Sequence, residues 1–160
     1  MRTFQIKFPY RYIDKCAILL PYEMYRPKFS LLTGRTIDQG CGKEYGKLSD
    51  EYLKSVSLCE MNLEDMGLLG VEDGKNIRVT TRFGSVVVQA KKSPRISKPG
   101  IIFIPYGPCV NLLSSSETDG TGMPLLKGEK ATVEPTEEEV LSLEDLILLT
   151  YGTEKIKSGR

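Results

Sequence analysis

The sequence predicts a mainly β domain closed into a small barrel, and three observations carry that expectation. Short apolar or alternating stretches recur at residues 29–33, 55–61, 77–80, 85–90 and 101–104, and again at 131–133. Gly, Pro, Asn and Asp turn residues separate them, as strand boundaries require. Only brief helical patterns intervene, which argues against the long alternating helices of a doubly wound sheet.

The elements follow in order. Residues 29–33 read as a strand that ends in Gly34-Arg35-Thr36. Residues 40–50 form a polar, Gly-rich insertion, expected to be flexible. Its Gly40-Cys41-Gly42-Lys43-Glu44-Tyr45-Gly46 misses the dinucleotide fingerprint, because the third glycine comes one place late and no helix pattern follows. A strand is expected over 55–61, with Val56, Leu58 and Cys59 apolar. Asn62 with Glu64 and Asp65 marks a helix start. That helix would turn Leu63, Met66 and Leu69 inward and stop by Gly70. Glu72-Asp73-Gly74 is a turn, and Ile77 and Val79 alternate with Arg78 and Thr80 in a half-exposed strand. Phe83-Gly84 reverses the chain into 85–90 as a tight hairpin.

After a polar loop over 91–99, Ile101, Ile102, Phe103 and Ile104 form a buried strand that stops at Pro105. About thirty residues of turn chemistry follow, and a loop that long in a compact domain is more often functional than idle. Beyond Val133, Pro135-Thr136 with Glu137, Glu138 and Glu139 offers a helix start. Val140, Leu141, Leu143, Leu146, Ile147, Leu149 and Tyr151 form an apolar helical tail, with Ser142 and Asp145 able to restart it and Gly152 to stop it. That tail is expected to dock on another chain or to cover the open side of the barrel. The domain limits are then 1–28 for an N-terminal arm, 29–135 for the barrel and 136–160 for the tail.

Composition excludes several functions. Of 160 residues, 40% are hydrophobic and 27% charged, the balance of a globular domain, and the net charge of +1 gives no overall footprint for nucleic acid. No apolar run approaches the roughly 20 residues of a membrane span, and no leader is expected, so the chain reads as cytoplasmic. The four cysteines, Cys16, Cys41, Cys59 and Cys109, include no close pair, and histidine is absent, so an internal metal site or a histidine-assisted nucleophile is not expected. In the arm, Phe4, Phe8, Tyr10, Tyr12, Tyr22 and Tyr25 interleave with Arg2, Lys7, Arg11, Lys15, Arg26 and Lys28. This pattern suits packing on the barrel or on a neighbouring subunit, and also single-stranded nucleic acid binding.

The candidate ligand groups cluster in two places. Thr33-Gly34-Arg35-Thr36 brings a hydroxyl, a bare backbone N–H and a guanidinium to a strand end, a set that can hold a phosphate. It can equally be a surface turn. In the long loop, the Asp119 carboxylate can accept two N–H groups from a guanine edge, the Asn111 amide can donate and accept, and Lys127 can neutralise a phosphate. Asn and Asp also simply stabilise turns. Cys109 reads as a small apolar or partly exposed thiol, or as one beside a redox centre.

Taken in order, a set of segments resembles a known family. They are Thr33-Gly34-Arg35-Thr36 with Gln39-Gly40; Met61-Asn62 and Leu69-Gly70; Asp73-Gly74 with Ile77-Arg78-Val79; Phe83-Gly84 with Val86-Val87-Val88; and Ile104-Pro105-Tyr106-Gly107-Pro108, Asn111, Asp119, Thr121-Gly122-Met123-Pro124 and Lys127-Gly128. This series is similar to the molybdopterin-dinucleotide-binding domain of molybdenum and tungsten oxidoreductases. It is most similar to the separately encoded form of that domain in the formylmethanofuran dehydrogenases of methanogenic archaea. The arm has no counterpart there, and residues 41–50 match only loosely.

The resemblance implies a double-psi β-barrel that helps hold two molybdopterin guanine dinucleotides, shared with a partner subunit and carrying tungsten or molybdenum. It implies that the metal ligand sits on a catalytic partner and the iron–sulfur clusters on further subunits, in an enzyme that reduces carbon dioxide to a formyl group. This chain would bind cofactor without being catalytic. By position, Thr33, Gly34 and Arg35, helped by Thr36, Gln39 and Gly40, would hold phosphate or guanosine. Tyr106, Gly107, Pro108 and Asn111 would line the pterin and diphosphate path, Asp119 would meet guanine, and Gly122, Pro124 and Lys127 would complete the loop. The alternative is a double-psi barrel that acts as a protein-binding adaptor without cofactor.

Overall fold

Alternating burial along six strands sets the architecture of the computed structural model, which describes residues 27–115, 120 and 128–151. Strand β1 (Lys28–Gly34) turns Phe29, Leu31 and Thr33 inward. Strands β2 (Leu58–Met61), β3 (Asn76–Thr80), β5 (Ile101–Pro105) and β6 (Glu129–Pro135) show the same period of two. β4 (Ser85–Lys92) buries Val86, Val87 and Val88 in succession, so it is covered on both faces. Phe29, Met61, Ile77, Val79, Val88, Ile102 and Ile104 fill the interior. Burial of each such side chain contributes about 1.5–3 kcal/mol.

The strands close in the order β1-β5-β2-β4-β3-β6. Pairs β1–β5 and β2–β4 are parallel, while β1–β6, β2–β5, β3–β4 and β3–β6 are antiparallel. Exchanging the first three strands with the last three leaves this ladder unchanged. β1–β5 becomes β4–β2, β3–β4 becomes β6–β1, and the other two pairs map onto themselves. Two interlocked halves of this kind make a double-psi β-barrel.

Several local expectations hold. Asn62 Oδ1 accepts the Glu64 N–H at 2.7 Å and starts α3 (Leu63–Leu69), which ends at Gly70 with φ +65°. Gly74 turns at φ +82°, and Thr80 faces Ser85 across the hairpin.

Others are corrected. Residues 40–50 are not an irregular insertion throughout: 40–44 lie in α1 (Ile37–Glu44), 50 opens α2 (Asp50–Val56), and only 45–49 turn between them. Thr36 Oγ1 caps α1 by accepting the Gln39 N–H, and Ser49 caps α2 by accepting the Tyr52 N–H. Gly42 lets the two helices touch, since a Cβ there would lie 3.1 Å from Tyr52 Cα. The strand expected from residue 55 therefore begins only at Leu58.

Leu63 is exposed, not inward. It lies about 120° around the helix from Leu69, at about 100° per residue. Asp65 takes the inward place and its Oδ2 accepts the Gly100 N–H at 2.9 Å. The long loop opens with a helical turn, α4 (Pro108–Asn111), which has proline at its first position.

The helix expected from Thr136 does not form. Asn76 donates its side-chain amide to the Glu138 carbonyl and Arg78 pairs with the Glu138 carboxylate, which holds that segment beside β3. α5 (Leu143–Tyr151) starts instead at Ser142, whose Oγ accepts the Asp145 N–H at 3.2 Å and donates to Asp145 Oδ2 at 2.7 Å. Leu143 and Leu146 are buried, Leu146 within the barrel core, while Leu148 and Leu149 are exposed. Gly152 lies outside the described residues. Among the described residues, no helix is long and apolar enough to cross a membrane.

Candidate functional site

Parallel pairing of β1 and β5, with Gly34 opposite Pro105, delivers both predicted ligand segments to one end of the barrel. The ladder continues one step past the strands, where the Tyr106 N–H donates to the Gly34 carbonyl at 2.8 Å. α1 then folds back, and the Gln39 side-chain amide donates to the Tyr106 carbonyl. Gly34, Gln39 and Tyr106 thus form one hydrogen-bonded unit, although Tyr106 is distant from the other two along the chain.

The predicted residues among those described lie in or around this unit. Thr33 faces the barrel interior, as the parity of Phe29, Leu31 and Thr33 dictates. Arg35 is exposed and makes no ion pair among the described residues. Thr36 spends its hydroxyl on the α1 cap. Gly40 lies on the exposed side of α1, and an added Cβ there would meet nothing within 4 Å. Pro108 opens α4, and Asn111 closes it with an exposed side chain. Asp119, Gly122, Pro124 and Lys127 lie outside the described residues.

Two of the glycines answer to packing. A Cβ on Gly34 would stand 3.1 Å from Phe103 Cε2. On Gly107 it would stand 2.7 Å from Val56 Cβ, so that glycine lets α2 press against the turn into α4.

Two hollows touch these residues. One, of about 360 Å³, is lined by Leu48, Tyr52, Pro108, Asn111 and Ile147. The other, of about 290 Å³, is lined by Thr36, Ile37, Asp38, Lys91, Lys92 and Arg95. Those three cations stand in what the sequence marks only as a polar loop, and their spacing within five residues is the one local signal of them. A third hollow, of about 540 Å³ around Gly74, Asn76 and Pro135, holds none of the predicted residues.

Separate exposed groups offer donors to a large anionic ligand, although the hollow of the three cations also holds the Asp38 and Glu60 carboxylates. Arg35 offers a guanidinium, Asn111 an amide, and Lys91, Lys92 and Arg95 further positive charge, all within reach of solvent. Among the described residues no cluster of His, Cys, Asp or Glu could hold a metal ion. Cys109 is wholly buried on α4, with its Sγ 3.5 Å from Ser57 Oγ. Burial pushes its thiol up, and the hydrogen bond to Ser57 opposes this in part. Burial, helped by Glu60, pushes the Cys59 thiol up as well. Both behave as small apolar groups.

Comparison with known proteins gives the same direction. Residues 29–128 match the model of the Molydopterin dinucleotide binding domain. The chain is 42% identical over 127 residues to Protein FwdD of Methanocaldococcus jannaschii, covering 78% of this chain and 96% of that protein. It is 35% identical over 126 residues to a component of the molybdenum-containing formylmethanofuran dehydrogenase 1 of Methanothermobacter wolfeii, covering 77% of this chain but only 30% of that longer one. Among solved structures, acetylene hydratase from Pelobacter acetylenicus superposes with a TM-score of 0.52 at 19% identity, over 69% of this chain and 18% of that one. At that identity the likeness concerns the fold alone.

Proposed function

This chain belongs to the molybdopterin dinucleotide-binding domain family, and from that premise we propose that it is a cofactor-binding part of a formylmethanofuran dehydrogenase. The observation that supports this reading best is the Gly34–Pro105 register, which sets the Thr33-Gly34-Arg35-Thr36 and Tyr106-Gly107-Pro108 segments side by side at the ends of parallel strands. In open α/β sheets, ligands lie outside the carboxyl ends of parallel strands, and this pair offers the same kind of edge.

In this reading Arg35 meets a phosphate of the guanine dinucleotide, and Asn111 lines its path. Gln39 fixes the Tyr106 carbonyl and so holds the two segments at one spacing. Thr36 orders the first turn of α1 beside Arg35, and the open space at Gly40 lets a ligand approach the helix backbone. Thr33 and Gly107 act from behind, one within the barrel and the other against Val56. Asp119, Gly122, Pro124 and Lys127 complete the site from the loop beyond α4. When bound, the metal–dithiolene group supplies the redox chemistry of carbon dioxide reduction; the chain supplies position, charge neutralisation and cover. Two dinucleotides would be shared with a catalytic subunit that carries the ligand to tungsten or molybdenum, alongside iron–sulfur subunits in a cytoplasmic assembly.

The test is Arg35→Ala in the natively purified assembly, read by guanine nucleotide released on denaturation. Loss of a charged hydrogen bond predicts about a tenfold or greater fall in retention under dilution. Unchanged nucleotide content with intact assembly would remove the phosphate role, and a wild-type assembly without guanine nucleotide would favour the adaptor reading.

A further inference from the structure

The hairpin between β3 and β4, Thr81-Arg82-Phe83-Gly84, lies outside the strand-end site, yet it grips the segment that carries Asn111. Thr81 is buried, and its Oγ1 donates to the Leu113 carbonyl at 2.9 Å, just past the end of α4. The same oxygen accepts the Phe83 N–H at 3.2 Å, and the Thr81 N–H donates to the Gly84 carbonyl at 2.9 Å, so the tip that presents the hydroxyl is itself closed. Gly84 presses on the same place: a Cβ there would stand 2.5 Å from the Leu112 carbonyl oxygen. Arg82 reaches the other way, with its Nε 3.1 Å from Glu129 Oε1 at the start of β6.

We propose that this hairpin tip is a positioning element, which sets Asn111 and the exit from α4 against the bound dinucleotide. The inference rests on the cofactor reading above. A single helical turn of four residues cannot hold its own orientation, because helix nucleation is unfavourable and its last carbonyls have no partner inside it. Here the orientation comes from outside, through Val56 against Gly107 at the entry to α4 and through Thr81 and Gly84 against Leu113 and Leu112 at its exit. The tip also joins the chain's departure from α4 to its return at β6, where the Gly128 N–H donates to the Leu31 carbonyl at 2.9 Å.

The experiment replaces the chain in its native assembly with Thr81→Val, which keeps the shape and loses the donor, with Thr81→Ser, which keeps the donor, and with Gly84→Ala. Guanine nucleotide per assembly, retention under dilution, and the thermal midpoint are measured for each. The expected result is an assembled Thr81→Val enzyme whose retention falls about fivefold, as loss of one ordinary hydrogen bond requires. Ser should restore retention, and Gly84→Ala should mimic Val. Wild-type retention in Thr81→Val or in Gly84→Ala would overturn the proposal, as would equal loss in Val and Ser. If Thr81→Val fails to assemble, Gly84→Ala decides. Failure of both to assemble also counts against it, since the tip would then serve the barrel and not the site. A wild-type assembly with no guanine nucleotide instead refutes the cofactor reading itself, which separates the two.

Discussion

Replacing Gly107 by alanine tests why that position is bare. Its backbone is extended, at φ 173° and ψ −174°, so any residue can adopt it and strain plays no part. The obstacle is Val56: the new Cβ would stand 2.7 Å from its Cβ and 3.0 Å from each Cγ. Carbon atoms pack best at about 3.5–4.0 Å, so roughly 1 Å of separation must be found. Val56 is wholly buried at the end of α2, and a β-branched side chain in a helix has essentially one rotamer, so it cannot swing aside. Overpacking of this kind destabilises by about 1–3 kcal/mol. With a urea slope of about 2 kcal/mol/M, the unfolding midpoint of the chain should fall by about 0.5–1.5 M. Val56→Ala removes only the two Cγ contacts and leaves Cβ in place. The double variant should accordingly be less destabilised than the sum of the singles, by about 0.5–1 kcal/mol. Urea titration of the four proteins by circular dichroism reads both quantities. An unchanged midpoint for Gly107→Ala would refute the packing argument and leave ligand approach as the reason for the glycine.

Two further outcomes follow from burial. Asp65 is pushed above its ordinary value by burial, which the Gly100 N–H opposes, with Glu64 adding a smaller push upward. Its folded value exceeds its unfolded one, so its unfavourable contribution is complete above the folded value and is relieved as pH falls through that value toward about 4. Relative to Asp65→Asn, the wild type should gain stability from pH 7 to pH 4 in denaturant titrations, and parallel curves would contradict this. For the thiols, peptide mapping after brief native alkylation should find Cys41 modified, because it is exposed. Cys59 and Cys109 should react only after denaturation, since both are buried and burial raises both thiols. Native labelling of Cys109 would mean that α4 opens.

Local signals in the chain suffice to place five of the six strands, the turn of the β3–β4 hairpin and both ends of α3; for β2 they give the end but not the start. Alternation at Ile77 and Val79, the cap at Asn62 and the left-handed Gly70 all act within a few residues of where they are read. The inward direction of Thr33 is equally legible from the parity of Phe29 and Leu31, although the family resemblance assigns its hydroxyl to a ligand. Capping also signals α2, since Ser49 precedes Asp50 and Glu51. The glycines of residues 40–46 nevertheless mask a helical pair that becomes stable only when Gly42 lets its helices touch.

Tertiary packing alone puts β1 beside β5, and with it the union of Gly34, Gln39 and Tyr106. The same holds for Val56 behind Gly107, for Thr81 on the Leu113 carbonyl, and for Lys91, Lys92 and Arg95 beside Thr36. Periodicity and capping are local properties of the chain. Strand neighbours are chosen by which distant apolar faces close one core together, and a site assembled at the ends of such strands inherits that choice.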